Sequence, residues 1–276
     1  VKDHRQADID RILERRHENG DDYWSTDDGR IYVGNPFSTL SCLLMLHELG
    51  VDADHEAVAG GLDRVLAACR EDGRIRLGPK TPMYPCYTAE AARVLCRYGL
   101  GEDARVGAAI DYFLEAAHES GGWRCNFTGF GKGPETEVAN PGATLYVLDV
   151  LRFFPDRAGD PAVEAAIDSL LRHWVVRAPT GPCHWGIGST FLQVEYPFLR
   201  YSLFFWVYVL SCYPSARGDD RFREALAELA GRIGEDGTVT VEARHRGLSK
   251  MAFCARGEPS ETATRRYGEI LDRVDS

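Results

Sequence analysis

Four shortages narrow what this 276-residue sequence can be. Positive charge is the first: 32 Lys and Arg stand against 42 Asp and Glu, for a net charge of −10. A chain without a broad basic surface has little with which to displace counterions from a phosphate backbone, so no nucleic-acid partner is expected. Long apolar runs are the second. The most apolar stretch, Leu203 to Leu210, is too short to span a bilayer, and Arg200 stands just before it, so no membrane span is expected. A basic-then-apolar leader is the third: none follows Val1, and a soluble, cytoplasmic protein with reduced thiols is the corresponding expectation. The fourth is cysteine, whose eight copies fall well below the density of a disulfide scaffold. Local catalytic signatures are also missing. There is no Cys-x-x-Cys, Gly-x-Ser-x-Gly or His-Glu-x-x-His, and the glycine-rich Gly129–Gly133 stretch has no Ser or Thr after Lys132 to make a phosphate loop.

What the sequence does have is a repeat. Asn35-Pro36, Tyr84-Pro85, Asn140-Pro141, Tyr196-Pro197 and Glu258-Pro259 recur at intervals of 49, 56, 56 and 62 residues, each after a Gly-containing turn. Proline is tolerated at the first helical position, whose N–H has no intrahelical partner, so each is read as the start of a helix. The first such helix is expected over Pro36 to about Leu49 and the last from Pro259 to about Arg273. Between them lie one-sided apolar stripes, such as Val58, Leu62, Val65 and Cys69, or Val163, Ile167, Leu170 and Trp174, on helices whose other faces are charged. An amphipathic helix over residues 6–17 opens the series. The alternation predicts an all-α chain folded as one domain: about five outer/inner helix pairs in an α/α toroid, with short strand-like turns. All inner helices would then start at one mouth, where their partly positive N-termini and the long connections gather. An open solenoid with a concave binding face has the same periodicity.

The candidates for chemistry fall on that mouth. Glu90, Glu195, Glu258 and Glu261 lie within about a turn of inner-helix starts and are acid–base candidates. Arg200, entering an apolar helix, needs a carboxylate such as Glu195 or Glu261, or an anionic ligand. The aromatics Tyr84, Tyr87, Trp123, Phe127, Trp185, Phe191, Tyr196 and Tyr201 crowd the same connections. Of these, Tyr87, Trp123, Trp185, Tyr196 and Tyr201 are the expected substrate-binding surface. Cys86, Cys125, Cys183 and Cys254 lie in or beside the connections, whereas Cys42, Cys69, Cys96 and Cys212 fall inside helices. Cys125, Cys183 and His184 are the best candidate ligands for a zinc ion.

Outer helix, Gly turn, short extended stretch and proline-opened inner helix together resemble the prenyltransferase and squalene-oxidase repeat of terpene cyclases and protein prenyltransferase β subunits. Glu119-Ser120-Gly121-Gly122-Trp123 carries the resemblance most closely. It implies a hydrophobic central cavity and an enzyme acting on a small hydrophobic, isoprenoid-like molecule. The families' catalytic motifs are not here: there is no Asp-x-Asp-Asp, and no Asp-x-Cys with which prenyltransferases hold zinc. A metal-dependent lyase or transferase with a Cys/His site, and a non-catalytic scaffold, are the alternatives. A homodimer covering any gap in the ring is a further expectation.

Overall fold

The computed structural model describes residues 4–125, 137–181, 183 and 185–276; Phe127, the Gly129–Gly133 stretch and His184 lie outside them. The described residues form helices joined by turns that carry only isolated β-bridges. In chain order these are α1 (His4–Leu13), α2 (Thr39–Glu48), α3 (Glu56–Ala67), α4 (Pro85–Arg97), α5 (Ala104–Glu115), α6 (Pro141–Leu151) and α7 (Pro161–Val176). There follow the one-turn α8 (Ser189–Leu192), then α9 (Leu203–Leu210), the one-turn α10 (Pro214–Arg217), α11 (Asp220–Ala230) and α12 (Glu261–Val274).

Two layers result. Helices α2, α4, α6, α9 and α12 pack side by side in that order, and α3, α5, α7 and α11 cover them. Every residue of α6 and α9 is buried, as surrounded helices require, whereas α3, α5 and α11 bury a single stripe. Arg266 of α12 closes the circuit by pairing with Glu48 of α2 at 2.8 Å, and Arg265 donates to the Glu48 carbonyl. The five inner helices thus make a closed α/α toroid. Outside it, α1 is tied to the last repeat: the buried Asp8 carboxylate accepts from the backbone N–H groups of Ala252 and Phe253.

Proline opens only two inner helices, α4 and α6, the latter with Asn140 as cap. At the first repeat the helix starts at Thr39, because the Ser38 side chain accepts from the Ser41 N–H and supplies a better cap than Pro36. Ser260 caps α12 in the same way. After Pro197 the chain first enters the ring, where the Arg93 guanidinium and the Tyr146 hydroxyl hold the Phe198 and Leu199 carbonyls, and α9 starts only at Leu203.

A repeated device seats three of the turns. The N–H groups of Ile75, Trp123 and Val239 each donate to a threonine hydroxyl in the next inner helix, Thr88, Thr144 and Thr264 respectively. The glycines before two of these residues press on the next outer helix: a Cβ on Gly73 would stand 2.0 Å from the Ala108 carbonyl oxygen, and one on Gly121 2.4 Å from that of Ala165.

Among the described residues, side chains occupy the centre where a hydrophobic cavity is expected. The Phe198 ring stacks on Phe205 at 5.2 Å and meets Phe204 and Tyr208 at 4.9 Å. Around it, the fully buried Asp149 of α6 pairs with Arg93 and Arg97 of α4 and with Arg152, at 2.7–2.8 Å. Tyr208 of α9 then donates to Glu269 of α12, which also pairs with Arg266. Charged side chains within an apolar ring need partners, and by finding them in one another they fill its interior.

Candidate active site at the mouth of the ring

Because the inner helices run parallel, the segments that precede them meet at one pole. Cys86 lies in the first turn of α4, Cys125 in the segment before α6, and Cys183 between α7 and α8. Their sulfurs converge: Cys86 and Cys125 are 3.4 Å apart, and Cys125 and Cys183 are 3.7 Å apart. Cys86, Cys125 and Ala143 form a small buried cluster of their own, flanked by Tyr84, Tyr87 and Cys183 and separate from the main core. Cys86 and Cys183 are each made harder to ionise by their surroundings. Cys86 is raised first by its contact with Cys125 and then by burial, and Cys183 is pushed up to about 11 by burial and by Cys125.

One turn along α4 from Cys86 stands Glu90. It lines a cavity of about 70 Å³ at the mouth together with Tyr32, Asn35, Ser38, Ser41, Arg93 and Leu199. Among the described residues it makes no hydrogen bond or salt bridge. Burial pushes its carboxyl up to about 7, with Arg93 opposing the shift and Cys125 adding to it. A carboxyl poised there exchanges protons readily near neutrality, which suits acid–base work. Beside it, Tyr87 lies between Tyr32 (ring centroids 5.6 Å apart) and Tyr84 (6.0 Å), an aromatic strip at the rim.

The remaining candidates have other surroundings. Glu195 is buried and Arg200 reaches it at 2.5 Å, so the arginine takes the carboxylate alternative rather than standing ready for an anion. Glu261 is the first residue of α12 and lines a different cavity, about 330 Å³, at the seam with Arg5, Glu48 and Arg265. Trp123 is fully buried, edge-on to Phe113 with its indole N–H on the Phe113 carbonyl. Tyr196 is equally buried and donates to Glu48, while the Tyr201 hydroxyl meets His173 Nδ1 at 2.9 Å. Trp185 is half-buried, packed edge-on against Tyr201 near the first turn of α6. The structure therefore brings Glu90, Tyr87, Cys125 and Cys183 together and buries Trp123, Tyr196 and Tyr201 among other partners.

Of the expected zinc ligands, Cys125 and Cys183 meet and His184 lies outside the described residues. Among the described residues no group of three or more His, Cys, Asp or Glu side chains is disposed to hold a metal ion. Arg93 and Tyr32 are not among the residues that the sequence pattern singles out. An arginine three residues after Glu90 in a helix destined for burial was the available signal for the first.

No protein-family model matches the chain, and no curated protein matches it in sequence. Among solved structures, the chain is similar to MstE, a type II terpene cyclase from Scytonema in complex with the substrate geranylgeranyl dihydroxybenzoate. The identity is 16%, the TM-score is 0.47, and the alignment covers 97% of this chain and 71% of that one. A similarity this slight bears on neither site nor reaction. No helix among the described residues is long and apolar enough to cross a membrane.

Proposed function

We propose that the protein is an enzyme that binds a small, largely hydrophobic molecule of isoprenoid type at the mouth of the ring and moves a proton to or from it through Glu90. The carrying observation is that Glu90 faces the mouth cavity, one turn from Cys86, with no hydrogen-bond or salt-bridge partner among the described residues. An unpaired carboxyl on an inner helix costs stability, and a ligand that engages it offsets that cost. The aromatic strip of Tyr32, Tyr84 and Tyr87 supports the apolar character of the ligand, since ring faces accept hydrocarbon and stabilise developing positive charge. The packing of side chains at the ring's centre supports a reaction at the rim and a ligand that engages the pole by one end.

The test is a panel of prenyl diphosphates and neutral polyenes, screened by thermal shift and by product analysis. The expected result is at least one compound that raises the melting temperature by about 2 °C or more and is converted by the native protein. Glu90→Gln should still bind it and fail to convert it. Conversion by Glu90→Gln at the native rate would remove Glu90 from the reaction, and a panel without any binder would leave the scaffold reading in its place.

A further inference from the structure

We propose that Cys86, Cys125 and Cys183 form an oxidisable thiol site that reduces a hydroperoxide, with Cys183 as the point of entry and a Cys86–Cys125 disulfide as the product. The inference goes beyond the proton-transfer reading and stands without it.

Three observations carry it. The first is convergence: three segments far apart in sequence deliver three sulfurs to successive contacts of 3.4 and 3.7 Å with Cys125 in the middle. A disulfide needs a separation of about 2.05 Å, so a small movement of either side chain closes a bond. Cys42 and Cys96, by comparison, sit in the main core. The second is graded access. Cys86 and Cys125 are 9% and 8% exposed, whereas Cys183 is half-buried and is the sulfur a solute reaches first. The third is the setting of the cluster, at the starts of two inner helices. Cys86 belongs to the first turn of α4, and Ala143, in the first turn of α6, packs on the thiols. The N-terminus of α4 favours a thiolate at Cys86, the last of the three to attack, and so opposes the effect of burial there.

The chemistry balances with the hydroperoxide as oxidant. The Cys183 thiolate attacks the peroxide oxygen, the O–O bond breaks, and the alcohol, or water from hydrogen peroxide, leaves with a proton. Cys183 is now a sulfenic acid. Cys125 attacks that sulfur, the S–O bond breaks and water leaves, giving a Cys125–Cys183 disulfide. Cys86 then attacks the Cys125 sulfur. The first S–S bond breaks as the Cys86–Cys125 bond forms, and Cys183 regains its proton. Two thiols lose two electrons and the peroxide gains them.

The experiment treats reduced full-length protein with one equivalent of hydrogen peroxide, followed by intact mass, non-reducing peptide mapping and metal analysis of the same sample. The expected product is lighter by about 2 Da, carries a Cys86–Cys125 cross-link, and returns to the starting mass with a reductant. Cys183→Ser should slow its formation by roughly tenfold or more, and Cys86→Ser should stop at the Cys125–Cys183 disulfide. Sulfinic acid on Cys183 with no cross-link would overturn the proposal. So would a zinc ion bound per chain whose removal is needed before any thiol reacts.

Discussion

At the scale of single residues, the charged side chains of the inner helices among the described residues contrast in whether they have found partners. Asp149 is shared by three guanidinium groups, and its carboxyl is held well below the usual range, burial opposing and Arg97, Arg93 and Arg152 outweighing it. Replacing Asp149 by Asn leaves those three cations buried with half a partner. Denaturant unfolding should show a loss of roughly 3 kcal/mol or more, and a loss below about 1 kcal/mol would mean that the network is solvated. Glu90 is the contrasting case, a carboxyl with Arg93 nearby and no direct bond. Its place in the sequence, one turn into a proline-opened helix, made it a candidate. What could not be read there is that burial pushes the Glu90 carboxyl up to about 7 while Arg93, bonded to Asp149 and Phe198, only partly opposes it. Partner choice among buried charges depends on distances across the ring, and these have no local signature.

At the scale of elements, the repeat was legible because it rests on local rules: apolar periodicity, Gly turns and caps. The outer stripes and the α4 and α6 starts follow them. The other inner-helix starts departed where a serine cap or a tertiary contact outweighed proline, as at Ser38 and in the segment after Pro197. The turns themselves are tertiary features as much as local ones. Gly121 has a φ of +86° and lies against the Ala165 carbonyl of α7, so Gly121→Ala meets both a left-handed backbone and a clash. It should cost roughly 2–4 kcal/mol by thermal or chemical unfolding. Gly99, with a φ of +76° and open space around its Cβ position, should cost only about 1 kcal/mol on the same change. Equal costs at the two sites would show that backbone conformation alone matters and that the turn does not wedge against α7.

At the scale of the whole molecule, ring closure decides where chemistry is available. Glu48 and Arg266 join the last inner helix to the first, Asp8 ties the first helix to the last repeat, and the interior is filled by Phe198 and the Asp149 network. In the proposed function, a ring closed by polar contacts and packed at its centre receives its ligand at the mouth, where the thiols and Glu90 lie. The family resemblance anticipated the toroid but not its filling, since α6 and α9 are buried on every side and sequence does not say which side faces the centre.

The most direct measurement is the pH dependence of global stability for the native protein and for Glu90→Gln, from pH 4.5 to 8. An acid whose ordinary value of 4.5 is raised to about 7 on folding binds more protons in the folded than in the unfolded state between those values. Its protonated form is the one that the fold accommodates. Native stability relative to Glu90→Gln should therefore fall as pH rises through that window, by on the order of 1–3 kcal/mol, and level off above it. Parallel curves would contradict the account, because they would place Glu90 in an ordinary, solvated setting.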